Sequence, residues 1–247
     1  MSADDHVTGL DRYLLATRLL DYRHPALVEL VTDRGWAQLP TFEQIERIYD
    51  FVQNETAFGY NRADDITASQ VLADGYGQCN TKGTLLMALL RSCGLPCRFH
   101  GFTIDKELQH GAINGIAYRL APRSIIHSWV EILYDDNWVN LEGFILDQPY
   151  LRSIQARFAS VDGPFSGYGV ATQDLKNPPV EWQGSDTYIQ RDGINHDFGV
   201  FDAPDDFYRR HGTNLAGIKK FIYSRILRHW INRNITGLRQ HNPSHKT

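Results

Sequence analysis

Cys79, His127 and Glu142 are the side chains of this sequence whose types and spacing could do covalent chemistry. Cys79 stands in "DGYGQCNTKGTLLMALLRSCGLP", residues 74–96, where a glycine-rich approach runs into the thiol and the thiol opens a strongly helical run. A thiol is a useful nucleophile as its thiolate, and a helix N-terminus stabilises that anion through unpaired N–H groups and the helix dipole. Gly75 and Gly77 let the backbone approach closely and leave room for a substrate. The Cys79 N–H is placed to point into an oxyanion hole. The plain alternative is a small buried cysteine that fills space at a helix start.

A catalytic cysteine needs a base, and the base needs an orienting group. Both are offered by "HSWVEILYDDNWVNLEG", residues 127–143. A two-residue turn at Asp135–Asp136 pairs Tyr134 with Asn137 and Leu133 with Trp138. Val130, Ile132, Val139 and Leu141 then share one apolar face. His127, Asn140 and Glu142 share the other, with Glu142 diagonal to His127 at roughly 7–8 Å between backbones. Asp147 falls on the wrong face if the strand stays regular. A slip of one residue would reverse the choice of acid, and this register is the one that keeps the apolar residues together.

With both halves in place, the chain resembles the transglutaminase-like superfamily of papain-type cysteine enzymes. The resemblance rests on "GYGQCNTKGTLLMALLRSCGLPCRF" followed by "HSWVEILYDDNWVNLEG", and covers about residues 41–146. It implies Cys79 as nucleophile, His127 as base and Glu142 as the orienting acid, at a position where the family usually has aspartate. It also implies an upstream oxyanion donor, for which Gln70 and Tyr60 are the candidates beside purely structural roles. Asn80 and Lys82 lie on the first turn of the Cys79 helix. Lys82 either adds positive potential near the thiolate or is solvated.

The elements that must position these groups read as α+β. "HPALVELVTDRG" is a short helix with Pro25 at its start, after an N-terminal stretch that is an extended arm or a short strand. "TFEQIERIYDFVQNET" is a helix with a Thr41–Gln44 capping-box pattern and Phe42, Ile45, Ile48 and Val52 at helical spacing. Residues 57–78 read as a loop. "CRFHGFTI" and residues 125–146 read as strands. Residues 150–195 are irregular. "PDDFYRRHG" and "LAGIKKFIYSRILRHWINRNI" are helical, the latter with Ile218, Phe221, Ile222, Ile226 and Trp230 on one face. The division expected is 1–40 as N-terminal arm and helix, 41–150 as a papain-like, transglutaminase-like core, and 151–247 as an extension packed on it.

Hydrophobic residues make up 42 %, charged residues 22 % and the net charge is −4, which does not favour a nucleic-acid partner. The basic run near the C-terminus reads as a solvated helix face. No leader and no long apolar run is evident, so a cytoplasmic protein with no membrane partner is expected. Three cysteines make no disulfide framework, and Cys93 and Cys97 have no partner pair for zinc. His196, Asp197 and Asp202 in "GINHDFGVFDAP" are metal-ligand types in a loop-like segment without a second cluster. His100 reads as a packed or edge strand residue and His24 as a surface one. No metal or organic cofactor is implied.

The function expected is acyl transfer through a thioester on Cys79, from an amide, ester or thioester substrate, which is a peptide or small molecule. Release to water makes a peptidase or amidase, and release to an amine makes a transglutaminase. Attack by a carbanion in the substrate makes a cyclase of small-molecule biosynthesis. A non-catalytic binding module on the same fold is the alternative of a different class. Oligomeric state is not legible.

Overall fold

The computed structural model describes residues 9–215 and 222–240, apart from the side chains of Ala117 and Leu120. The chain is α+β, with a nucleophile-type helix packed on a small antiparallel sheet and helical additions at both ends.

The N-terminal arm makes one 3₁₀ turn at Asp11–Leu14, then runs without regular structure and buries Tyr13, Leu19 and Leu20. Helix α1, Pro25–Asp33, starts where expected, with proline in its first turn. Exposed His24 caps it by accepting from the Ala26 N–H at 3.3 Å. Helix α2, Thr41–Asp50, continues as a π turn over Phe51–Glu55 and buries Ile45, Ile48, Tyr49 and Val52. Its capping box does not form. Pro40 is the N-cap, and the Gln44 amide instead donates inward to the Trp36 carbonyl at 3.0 Å.

The segment read as a loop holds more order than its composition suggests. Strand β1, Ala57–Phe58, pairs in parallel with β2, Tyr76–Gly77, and helix α3, Ala68–Asp74, lies between them. Helix α4, Cys79–Ser92, then runs through the core. Leu85 to Leu90 have no exposed surface, so the helix is covered on all sides. Fully burying one such leucine is worth about 1.5–3 kcal/mol. Gly94 at φ 78° ends the helix in the left-handed region.

The main sheet has the order β5–β4–β3–β8, all antiparallel: β3 Cys97–Asp105, β4 Ser124–Tyr134, β5 Asn137–Leu141 and β8 Ile194–Phe201. The β4–β5 register is the expected one, with Tyr134 opposite Asn137 and Val130 opposite Leu141. Asp135 and Asp136 both take positive φ, 46° and 61°, the conformation a two-residue hairpin turn requires. A short helix, α5 Gly115–Leu120, lies on the long excursion between β3 and β4.

Strand β8 corrects the loop-like reading of residues 194–201. It pairs with β3 through two register shifts and leaves His196 and Asp197 exposed. An edge strand rich in polar residues carries no apolar alternation, which is why the pattern concealed it. The stretch 150–195 also contains helix α6, Gln148–Arg157, and the hairpin β6 Phe165–Gly167 with β7 Val170–Thr172.

Helix α7, Pro204–His211, is followed by a π turn, Tyr223–Leu227, and helix α8, Arg228–Gln240. The apolar face assigned to this last region is not the one that packs. Ile226 and Trp230 are 60 % and 71 % exposed, whereas Ile231 and Ile235 are buried. Ile218 and Phe221 lie outside the described residues. Two apolar stripes overlap in this sequence, and the stripe Tyr223, Ile231, Ile235 reaches the core, with Leu227 on the wall of a cavity beside it. Two residues of the basic run are also used structurally: Arg228 donates to the Tyr76 hydroxyl at 3.1 Å, and Arg239 pairs with Asp147.

Candidate active site

The first turn of α4 is fastened from both sides. The Gln78 N–H donates to Thr81 Oγ1 at 3.1 Å, and Thr81 Oγ1 donates to Asn61 Oδ1 at 2.6 Å. The Gln78 side chain accepts from the Asn61 N–H at 3.1 Å and donates to Asp64 at 3.2 Å. The Asn80 amide donates to the Ile126 carbonyl at 3.2 Å and accepts from Ser128 Oγ at 2.9 Å. Ile126 and Ser128 flank His127 on β4, so the neighbour of Cys79 grips both neighbours of His127. This clamp sets the thiol beside the imidazole.

The glycines before Cys79 work differently from expectation. Gly75 caps α3 at φ 69°, where left-handed backbone favours glycine. The space beside Gly77 is occupied by the protein itself: an added Cβ would lie 2.7 Å from Thr81 Oγ1 and 2.9 Å from Lys82 Cγ. Gly77 thus lets the helix start pack closely and leaves no room for a substrate there.

His127 and Glu142 are both fully buried, with Nε2 of His127 2.7 Å from Oε1 of Glu142. Regular β5 pairing ends at Leu141, and Glu142 turns out of the strand at φ −127°, ψ −28° into a 3₁₀ turn. Its Oε2 accepts from the Ile189, Gln190 and Arg191 N–H groups at 2.8, 3.0 and 3.1 Å. Nδ1 of His127 has no hydrogen-bond partner among the described residues. Burial alone would lower the His127 pKa. The charge and hydrogen-bonding capacity of Cys79, then those of Glu142, outweigh burial and hold it up at about 10. The imidazole is therefore held as a cation between a sulfur and a carboxylate.

Cys79, 6 % exposed, opens onto a cavity of about 150 Å³. Tyr60, Gln109 and Gln190 share its wall. The Tyr60 hydroxyl donates to Gln109, and its pKa is pushed well above the usual range by burial, then by Tyr223 and Cys79. It stays a protonated donor near the thiol. Gln70 is elsewhere: it is exposed and closes the capping box of α3 with Thr67. Lys82 is neither solvated nor aimed at the thiol. It is fully buried and donates to the Gln53 and Ile145 carbonyls at 3.1 and 3.0 Å. Burial lowers its pKa to about 7.

Asp147 caps α6, pairs with Arg239 and takes no part in orienting His127. His100 bonds Glu131 at 2.6 Å and Asp197 at 2.9 Å, and Asp202 lies 3.7 Å from Arg12. No cluster of three or more metal-ligand side chains is formed among the described residues, and no helix among them is long and apolar enough to cross a membrane.

Residues that sequence reasoning missed are Asp64, Gln190 and Asn214. Asp64 accepts from Gln78, from Asn80 and from both the backbone and side chain of Asn214. Asn214 also accepts from the Ile126 N–H at 2.6 Å, so it bridges the two sides of the cleft. Nothing in the local sequence signals these roles, because each partner lies far along the chain.

Residues 29–143 match the model of the transglutaminase-like superfamily. The uncharacterised protein YebA of Bacillus subtilis strain 168 is 28 % identical over 149 residues, which is 56 % of this chain and 19 % of that protein. A provisionally assigned cysteine protease from Cytophaga hutchinsonii is similar over 81 % of this chain and 50 % of its own, at 13 % identity and a TM-score of 0.46. Red sea bream transglutaminase is similar over 56 % of this chain and 26 % of its own, at 16 % identity and a TM-score of 0.31. The chain thus spans about a fifth of the curated relative and half of the Cytophaga protein.

Proposed function

We propose that this protein is a cysteine-dependent hydrolase or acyltransferase in which Cys79, His127 and Glu142 form the catalytic triad. The observation that carries the reading is Cys79 opening onto a cavity while its buried partner His127 is held by Glu142 at 2.7 Å. The Cys79 thiolate attacks the carbonyl carbon of an amide, ester or thioester, forming an S–C bond and a tetrahedral oxyanion. The Cys79 N–H, which has no intrahelical partner at a helix start, is the donor suited to that oxyanion, whereas the Tyr60 hydroxyl, the other candidate, is committed to Gln109. Collapse breaks the bond to the leaving group, which takes the proton from His127. Water or an amine then attacks the thioester, His127 takes its proton, and the thiolate departs.

The test is iodoacetamide labelling of the native protein with the modified cysteine located by mass spectrometry, and, on separate unalkylated protein, trapping with p-nitrophenyl acetate. Rapid labelling and acetylation at Cys79, both slowed strongly in His127→Ala, are expected. Labelling of Cys79 no faster than that of Cys93 in both proteins would sink the reading.

A further inference from the structure

The cavity at Cys79 has two walls of unlike origin and the same character. Ile113, Ile125 and Ile126 come from the β3–β4 excursion and the start of β4, and Ile222, Leu227 and Ile231 come from the C-terminal extension. Gln190 Oε1 on this wall is buried without a partner among the described residues, but the polar groups closest to the thiol in sequence and bonding are already spent. Gln78, Asn80, Asp64 and Asn214 satisfy one another, and Tyr60 donates to Gln109. Arg62, the basic side chain on this wall, is exposed. A charged or strongly polar acyl group would surrender its hydration here with little in return. An apolar one would displace water at no such cost.

Resting on the triad reading above, we infer that the acyl group received by Cys79 is bulky and apolar, and that the C-terminal extension selects it. The cavity holds about 150 Å³. Engineered aliphatic cavities of that size in another protein take up benzene, so a group of about six carbons fits. Two sources offer this chemistry: an unbranched aliphatic acyl chain, or the side chain of a leucine- or phenylalanine-like residue in a peptide or amide.

The experiment measures acylation of Cys79 by p-nitrophenyl acetate, butyrate and hexanoate, and by the p-nitrophenyl esters of N-acetylglycine, N-acetylasparagine, N-acetylleucine and N-acetylphenylalanine. Cys79→Ala supplies the background. The four added methylenes from acetate to hexanoate, at about fourfold each, should raise kcat/KM about 250-fold, or N-acetylleucine should exceed N-acetylglycine by a similar factor. Whichever series rises more steeply identifies the source. In Ile125→Trp, and independently in Leu227→Asn, that ratio should shrink at least about tenfold. A flat or falling series with clear acetylation of Cys79 would overturn the apolar preference and leave the triad standing. Absence of acyl-Cys79 with every ester would remove the triad reading and this inference together.

Discussion

Glu142 orients His127 with one carboxylate oxygen, 2.7 Å from Nε2, and receives three successive backbone N–H groups, from Ile189 to Arg191, on the other. The carboxylate thus ties the imidazole to a segment almost fifty residues further along the chain. Glu142→Gln keeps the size but puts an NH₂ where only acceptors fit, so a donor must face a donor. Activity should fall about 10²- to 10⁴-fold, and the buried change should cost about 3–5 kcal/mol. Glu142→Asp, one methylene shorter, cannot reach both sets of donors and should lie in between. Acylation rates and urea melts test this. Wild-type rates in Glu142→Gln would show that the carboxylate is not the orienting group.

His127 and Lys82 should pull the stability of the fold in opposite directions as pH rises. His127 titrates near 10 in the folded protein against about 6.5 unfolded. The folded state therefore binds the extra proton, and this contribution, complete below pH 6.5, is lost as pH climbs through 10. Lys82 titrates near 7 folded against about 10.5 unfolded. There the unfolded state binds more protons, and stability rises from pH 7 to 10.5. The two windows overlap, so the wild type should vary little between pH 7 and 10. Lys82→Met should expose a fall across that range. Cys79→Ala, which removes the strongest upward influence on His127, should expose a rise. Denaturant midpoints at pH 7, 8.5 and 10 decide it, and identical slopes in all three proteins would refute the opposition.

Gly143 is placed where a side chain cannot go. A Cβ there would lie 2.5 Å from the Tyr49 hydroxyl and 2.6 Å from Val180 Cα. Gly143→Ala should therefore shift the turn that carries Glu142, costing about 1–3 kcal/mol and slowing acylation together. Gly237, inside α8 with open space around it, is the contrast. Gly237→Ala should stabilise by about 0.5–1 kcal/mol without touching the site. Thermal melts of the two variants should move in opposite directions.

The hairpin was legible because its apolar face is uniform and its turn is short. Val130, Ile132, Val139 and Leu141 admit one register, and that register is observed and carries Glu142 toward His127. The Cys79 helix was legible for the same reason, an unbroken apolar run closed by glycine. The N–H groups of Ile189 to Arg191 left no trace, because backbone donors have no residue code. Lys82 misled because buried lysines are rare, and its partners are again backbone carbonyls. The cavity wall from Leu227 and Ile231 was hidden by a neighbouring stripe, Ile226–Trp230, of equal apolar strength.

Arg239 fastens that wall to the core. It donates to both carboxylate oxygens of Asp147, at 3.0 and 2.7 Å, and to the Phe58 carbonyl at 2.8 Å. Burial would raise the Asp147 pKa; the Arg239 hydrogen bonds and charge, with the Phe58 and Tyr150 N–H groups, outweigh it and hold the carboxyl low. A depressed carboxylate stabilises the fold above its unfolded pKa, about 3.9, and the benefit disappears as pH falls through the folded value. Arg239→Met leaves Asp147 buried without its cation and should cost about 3 kcal/mol at pH 7. The penalty should shrink toward pH 4, where the unpaired carboxyl takes up a proton. Because α8 supplies Ile231 to the cavity, the same variant should also weaken the preference for hexanoate over acetate. Urea melts at pH 7 and 4, run beside the ester series, test both consequences. A pH-independent penalty would show that the pair does not carry the docking of α8.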